Sequence, residues 1–256
     1  MDADTQPTSL GIPAPPIVES PPEIDPALGS PHQRNAVWKF VQFFCRILFY
    51  LWFGFRTRGM ERLPAGGGLI LSNHQSFLDP LLVGVYLNRP ISFLAREDLF
   101  KAPLVGWILA RTYVMPLNRA ASTTGLRETI RRMKLGFLVG VFPEGTRTRD
   151  GVVREVKPGF TALLRRSDLP IIPVGIAGAH RSFGLGHRIP KPYRIRLVYG
   201  EPIPPEIVAE LKGRGREEEL VALVHKRIVE CQTEAEAWIQ GRALESQREP
   251  RLEHGK

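Results

Sequence analysis

The sequence predicts an α/β fold with a central, mostly parallel sheet flanked by helices and preceded by a membrane-associated helix. From about residue 63, short apolar runs alternate with segments of helical pattern, which is typical of α/β layers. The chain has 256 residues, of which 43% are apolar and 24% charged, as in an ordinary globular domain. Its two cysteines stand far apart, so we expect neither a disulfide framework nor a CxxC metal motif, and a reducing compartment is favoured.

The first 34 residues differ in composition from the rest of the chain. Residues 1–34 are rich in Pro, Ser and acidic side chains, with two clusters of prolines. This stretch has little apolar surface to bury, so we predict a disordered arm. It also lacks the basic start and apolar core of a secretory signal peptide.

Residues 35–58 contain the most hydrophobic part of the chain and are predicted to anchor it to a membrane. Three polar side chains, Lys39, Gln42 and Arg46, recur at a spacing of three or four residues and fall on one helical face. This pattern favours a helix lying in the membrane interface, while a spanning helix and a buried core helix are the alternatives. A basic flank suited to an anionic leaflet follows, formed by Arg56, Arg58 and Arg62.

Residues 59–202 are predicted to form the α/β domain. The apolar runs predict strands at 67–72, 91–95, 112–117, 135–142, 169–176 and 193–199. Helical patterns fall at 80–87, 103–110, 122–134 and 157–166. Helices interrupted near residues 213–215 are expected over 203–240, followed by a charged tail at 241–256.

The charge balance narrows the possible partners. Thirty-five Lys and Arg residues against 26 Asp and Glu give a net charge of +9, which attracts polyanions. An anionic membrane, a phosphorylated substrate and nucleic acid all meet this requirement. Because the basic residues are spread along the chain and no recognised nucleic-acid motif is present, we expect no nucleic-acid partner, and a nucleic-acid-binding protein is the remote alternative.

A histidine and an aspartate stand five residues apart between a predicted strand and a predicted helix. His74 follows the strand that ends at Ser72, while Asp79 is expected to cap the helix that begins at Pro80. In a continuous helix the two side chains would diverge by about 140°. A turn brings them together, with the carboxylate orienting the imidazole as a general base. The alternative is a structural hydrogen bond or a simple cap.

A second polar turn follows the predicted strand that ends at Phe142. Gly145 permits a backbone conformation closed to other residues, and Arg147 offers a planar fork of donors that matches a phosphate. Glu144 either orders the turn by accepting backbone N–H groups or aims an arginine. The alternative is a surface turn with solvated charges.

Together these segments resemble the glycerolipid acyltransferase family, the bacterial 1-acylglycerol-3-phosphate acyltransferases in particular. The resemblance rests on Asn-His-x4-Asp at 73–79 and Phe-Pro-Glu-Gly-Thr-Arg at 142–147. Weaker likenesses are the stretch from Arg96 to Arg119 and Ile-Ile-Pro-Val at 171–174, so that it covers about residues 60–200. Asn118 stands where the family commonly has Asp, and Thr148 replaces the more usual Ser.

The resemblance implies a glycerol-3-phosphate acyltransferase-like fold and a direct acyl transfer at the cytoplasmic face of the cell membrane. His74 would take a proton from the hydroxyl of a lysophosphatidic-acid-like lipid, and Asp79 would hold the imidazole. The oxygen would attack the thioester of acyl-CoA or acyl carrier protein. No metal or other cofactor is implied. The substrate-binding residues would be Lys101, Arg119, Glu144, Gly145, Thr146 and Arg147.

The acceptor is the main open question. A lysophospholipid, a lyso-ornithine lipid or glycerol 3-phosphate would use the same chemistry. The sequence also leaves open the acyl donor, the preferred chain length and the oligomeric state.

Overall fold

The computed structural model describes residues 28–117, 122–165, 167–213 and 215–241. The strands are β1 (Arg56–Arg58), β2 (Gly68–Ser72), β3 (Ile91–Arg96), β4 (Met115–Leu117), β5 (Leu138–Val141), β6 (Ile171–Ala177) and β7 (Arg196–Tyr199). The helices are α1 (Ala36–Phe53), α2 (Asp79–Gly84), α3 (Pro103–Arg111), α4 (Ser122–Lys134), α5 (Thr161–Leu164), α6 (Ala179–Phe183), α7 (Pro205–Leu211) and α8 (Glu217–Ile239). Most of the predicted arm and tail lie outside the described residues.

The strands form one sheet in the order β1-β7-β6-β2-β5-β3-β4. Neighbouring strands are parallel except β6 and β7. At its centre, Leu69 of β2 lies opposite Val139 on one side and Ile171 on the other. β2 and β6 are buried along their whole length, as their continuous apolar sequences require. The predicted α/β class, with a mostly parallel sheet, is confirmed.

Helices cover both faces of the sheet because alternate residues of each strand point to opposite sides. Ile70 of β2 joins a core with Phe49 of α1 and Leu82 of α2. Its neighbour Leu69 joins the other core, which includes Ile228 of α8. The C-terminal helices therefore belong to the same layered body as the sheet.

The structure differs from the predicted elements at several places. Residues 56–58, expected as a basic flank of the anchoring helix, form the edge strand β1. The short helix α6 was not predicted. The helix expected at 157–166 is a 3₁₀ turn followed by the four-residue α5. Each difference involves a segment of three to five residues, too short for a periodic pattern to develop.

Helix α1 turns its polar face towards the protein. The Gln42 amide donates to the carbonyl oxygens of Gly84 and Leu87, both at 2.9 Å, and the Arg46 Nε donates to the carbonyl of Val85 at 2.8 Å. These carbonyls lie at the end of α2 and in the residues just after it, where a helix leaves acceptors available. The opposite face exposes large apolar side chains, namely Phe40, Phe43, Phe44, Ile47, Leu48, Tyr50, Leu51 and Trp52.

α1 is thus docked on the domain with its aromatic face outward. By length and composition it is the one helix among the described residues that could cross a membrane, and 22% of it is buried in the protein. An apolar N-terminal helix able to anchor the chain to a membrane is therefore present.

The direction of the strands decides which loops meet. β2, β3, β5 and β6 all run parallel, so their carboxyl ends lie along one edge of the sheet, which we call the carboxyl edge. The turns after β2 and β5 contain the two polar motifs. Parallel α/β sheets place their binding sites at this edge.

Candidate active site

His74 lies in the turn that leaves β2, and both its ring and its backbone are fixed. Its imidazole stacks on Phe142, with 4.2 Å between ring centroids and 17° between planes. Its N–H donates to Glu144 Oε1 at 2.8 Å, and its carbonyl accepts the N–H of Thr148 at 2.8 Å. The turn after β5 therefore holds this histidine from both sides.

Asp79 orients the imidazole of His74 through its Nδ1 atom. Its Oδ2 lies 2.7 Å from His74 Nδ1 and also accepts the N–H groups of Gln75 and Ser76, at 2.6 and 2.7 Å. The carboxylate is fully buried. The expected helix cap is not seen, since Asp79 is itself the first residue of α2 and its carboxylate binds N–H groups that precede the helix. Its bonds thereby fold the turn that joins the two side chains.

This arrangement selects one tautomer of the imidazole. Because Oδ2 of a carboxylate can only accept, the proton of His74 sits on Nδ1 and the lone pair on Nε2. The His74 side chain is 20% exposed, and its Nε2 has no hydrogen-bond partner within the described ranges. A partly exposed base oriented by a buried acid thus lies at the carboxyl edge.

Glu144 orders the second turn. Its second oxygen, Oε2, accepts the N–H of Arg154 at 3.1 Å, so the carboxylate joins the turn after β2 to both ends of the loop after β5. Burial raises the pKa of Glu144, and the two N–H groups oppose that rise. Of the two roles that the sequence left open, the geometry selects ordering by backbone N–H groups. Gly145 has φ of +71°, the left-handed conformation expected of it.

The Arg147 guanidinium lies over the turn that contains His74 and Phe77. Its Cζ lies 3.3 Å from the centroid of the Phe77 ring. Nη1 is buried and has no hydrogen-bond partner in the part of the chain described. Burial lowers the pKa of Arg147 while Asp79 opposes the change, but a guanidinium stays charged at any physiological pH. A cation with unused donors therefore stands beside the His74–Asp79 pair.

The remaining predicted site residues are less closely placed. Thr146 is exposed at the tip of the turn. Lys101 is exposed at the end of the 3₁₀ turn that follows β3, and no hydrogen bond or ion pair joins it to another predicted site residue among those described. Arg119 lies outside the described residues. The structure brings together His74, Asp79, Glu144, Gly145 and Arg147.

Two other side chains that hold the turn were not singled out from the sequence. Asn73 Nδ2 donates to the carbonyl of Ile176, and its Oδ1 accepts the N–H of the same residue, which ties the end of β2 to β6. Gln75 Nε2 donates to the carbonyl of Gly151 in the loop after β5. Both residues belong to the first motif, so their presence was visible, but their partners lie about 75 to 100 residues away in sequence.

A family model described as Acyltransferase matches residues 54–177. A 1-acyl-sn-glycerol-3-phosphate acyltransferase of Bacillus subtilis is 26% identical over 199 residues, which is 77% of this chain and 97% of that protein. The enzyme of the same name from Pseudomonas aeruginosa is 28% identical over 78% of this chain and 74% of its own length. The chain is therefore similar in sequence to PlsC-like glycerolipid acyltransferases.

A solved glycerolipid acyltransferase has a similar fold. The crystal structure of the 1-acyl-sn-glycerophosphate acyltransferase PlsC from Thermotoga maritima superposes with a TM-score of 0.67. It is 28% identical and the match covers 78% of this chain and 80% of that one. A chloroplastic relative from Arabidopsis thaliana is longer, since the match spans 51% of its length.

Proposed function

We propose that this protein transfers a fatty acyl group to the free hydroxyl of 1-acyl-sn-glycerol 3-phosphate, giving phosphatidic acid. The observation that carries the proposal is the 2.7 Å contact between His74 Nδ1 and the buried Asp79 carboxylate, with Nε2 left unpartnered beside a cationic Arg147. The names of the relatives support the acceptor. The acyl donor is a thioester of either coenzyme A or acyl carrier protein.

The reaction is a direct transfer between hydroxyl and thioester. His74 Nε2 takes the proton as the hydroxyl oxygen attacks the thioester carbonyl, and the resulting imidazolium is stabilised by Asp79. When the tetrahedral intermediate collapses, the new ester C–O bond is kept and the C–S bond breaks. The leaving thiolate takes the proton back from His74, so the enzyme returns to its starting state.

The acceptor phosphate is proposed to bind Arg147. The guanidinium is held by Phe77 in the same turn as His74, and Nη1 has no other partner among the described residues. A phosphate bound there would bring its own glycerol hydroxyl close to the imidazole. Arg119 is proposed as a second phosphate ligand and Lys101 as a weaker one, while Gly145 and Thr146 form the backbone of the turn.

The reaction is proposed to take place at the cytoplasmic face of the cell membrane. Both the acceptor and the product are lipids, and α1 presents an aromatic face suited to the bilayer interface. The net charge of +9 favours an anionic leaflet.

Replacing His74 tests the proposal. His74→Ala protein, purified in detergent, is incubated with labelled 1-acylglycerol 3-phosphate and either donor, with the exposed His32→Ala as the matched control. We expect no transfer by the first variant and normal transfer by the second. The same panel includes lysophosphatidylcholine, a lyso-ornithine lipid and glycerol 3-phosphate, so a preference for one of these would reassign the acceptor. Full activity of His74→Ala would end the proposed mechanism.

A further inference from the structure

Helix α3 lies on the surface with its apolar side chains uncovered. Within the described structure Gly106 is its one buried residue, whereas Leu104, Val105 and Trp107 are 71%, 45% and 47% exposed. Leu99, in the turn before the helix, is 45% exposed as well. A contiguous apolar surface of this kind marks a binding site for another apolar surface.

The position of α3 relates it to the candidate active site. It follows β3, and β3 pairs with β5, so α3 emerges at the carboxyl edge next to the turn that carries Phe142 and supports His74. The loops after β2, β5 and β6, which also end at this edge, expose one or two large apolar side chains each. These are Phe77 after β2, Val152 after β5, and Leu185 and Ile189 after β6.

The opposite, amino edge of the sheet has a different surface. Among the described connections between elements at that edge, the one large exposed apolar side chain is Ile207 on the short helix α7, which is 41% exposed. α7 lies at that edge because the segment leading to it, at Ile203, pairs with Ile171 at the start of β6. Among the described residues, exposed apolar side chains are thus concentrated on α1 and at the carboxyl edge.

The surroundings of α3 indicate what covers it. The exposed cation Lys101 precedes the helix and the exposed cation Arg111 ends it, and the Arg111 guanidinium lies 4.4 Å from the Trp107 ring centroid. Tryptophan with a flanking cation is the pairing found at the boundary between lipid tails and headgroups. The Asn35 amide at the start of α1 donates to the Arg111 carbonyl at 2.6 Å, so the start of α1 adjoins the end of α3.

We propose that α3 and the turn before it form a second membrane contact, which seats the carboxyl edge on an anionic leaflet. Leu99, Leu104, Val105 and Trp107 enter the interface while Lys101 and Arg111 meet the headgroups. α1 attaches the chain, and α3 sets how the domain faces the bilayer. This contact would let a lipid acceptor reach His74 without leaving the membrane. That benefit rests on the proposed function, whereas the contact itself does not.

Vesicle binding without any substrate tests the contact independently of activity. The full chain is titrated with vesicles of phosphatidylcholine containing phosphatidylglycerol, and its bound fraction is measured by flotation. We expect the Leu104→Ser/Trp107→Ser variant to need about ten-fold more lipid for half-binding, because two large apolar side chains lose a buried environment. Ile207→Ser, at the amino edge, is the control and should bind like the wild type.

Tryptophan quenching gives a second measurement that does not depend on the strength of α1. Brominated lipids quench only those indoles that reach the acyl chains, so Trp107→Phe should lose part of the quenchable fluorescence. Unchanged half-binding of the double variant together with unchanged quenching of Trp107→Phe overturns the proposal. Loss of a dimer in sedimentation, with lipid binding unaffected, would assign α3 to a second copy of the chain. Newly exposed cleavage sites in residues 1–27 would assign it to the arm.

Discussion

Glu144 and His74 are joined by a hydrogen bond that links the two motifs: the carboxylate of Glu144 accepts the backbone N–H of His74 at 2.8 Å. The other carboxylate oxygen accepts the N–H of Arg154 at 3.1 Å. The residues meet because β2 and β5 are adjacent and parallel, so that both motifs leave the sheet at the same edge. The position of His74 therefore depends on Glu144. The Glu144 carboxylate binds the backbone of His74 and not its imidazole.

Glu144→Gln should lower both stability and activity. Glutamine has one acceptor oxygen where the carboxylate has two, and its NH2 group would face a backbone N–H. Leaving a buried donor unpaired costs about 1–3 kcal/mol in the free energy of unfolding. Urea unfolding in mild detergent and kcat measured on the same preparation check this, with Glu155→Gln, an exposed neighbour, as control. A fully stable and fully active Glu144→Gln protein would contradict the role of this carboxylate.

Asp79→Asn should leave the fold largely intact and reduce kcat strongly. The asparagine oxygen can still accept the N–H groups of Gln75 and Ser76, but it has no charge to stabilise the imidazolium of His74. In oriented acid–base pairs of this kind the loss is about 10³- to 10⁴-fold. Initial rates at saturating acceptor measure the effect, and circular dichroism checks the fold. A loss under ten-fold would show that the aspartate acts mainly as a structural element of the turn.

Arg147→Ala should raise KM for phosphate-bearing acceptors by about 10- to 100-fold, since a charge-assisted hydrogen bond contributes about 1.5–3 kcal/mol. Arg147→Lys keeps the charge but loses the planar fork and its stacking on Phe77, so an intermediate value is expected. Arg149→Ala, two residues away and exposed, is the matched control. Equal KM values for the wild type and Arg147→Ala would exclude this arginine as the phosphate ligand.

Gln42→Leu should loosen α1 from the domain even though it makes the helix more apolar. The substitution leaves the Leu87 carbonyl oxygen without its donor and removes one of the two donors to the Gly84 carbonyl, at a cost of about 1–3 kcal/mol. Lys39→Leu adds a similar apolar side chain at an exposed position and should have little effect. Unfolding in detergent, followed by intrinsic fluorescence, separates the two outcomes. Equal stability of both variants would mean that the polar contact does not hold α1.

Cys231 provides a test based on pH. Burial, with Glu234 and Glu230 adding to it, raises the pKa of this thiol to about 12 from its ordinary value of 9.0. The unfolded chain therefore loses the proton first, so the thiol reduces the stability of the folded state as pH rises from about 9 to about 12. Its expected slope is about 1.4 kcal/mol per pH unit, absent in Cys231→Ala. Unfolding free energies of the two proteins across this range should diverge; parallel curves would show that the thiol is accessible to water.

The sequence was sufficient for the order of elements and for the chemistry of the site. Apolar runs located β2, β3, β5 and β6 within a few residues, because central parallel strands are buried on both faces and read as continuous hydrophobic stretches. The spacing of His74 and Asp79 indicated a turn, and Gly145 indicated a left-handed residue, because both are local requirements of the backbone. The sequence did not indicate that Arg56–Arg58 form a strand, since these three residues have no apolar pattern.

The tertiary structure alone decided which distant groups meet. Lys39, Gln42 and Arg46 were correctly placed on one face of α1, but that Gln42 and Arg46 bind the end of α2 depends on where the two helices pack. Likewise the Glu144–His74 bond and the Arg147–Phe77 contact follow from strand order. The physical reason is that backbone preferences and apolar patterns depend on residues close together along the chain. Contacts across about 70 residues depend instead on the arrangement of the whole sheet.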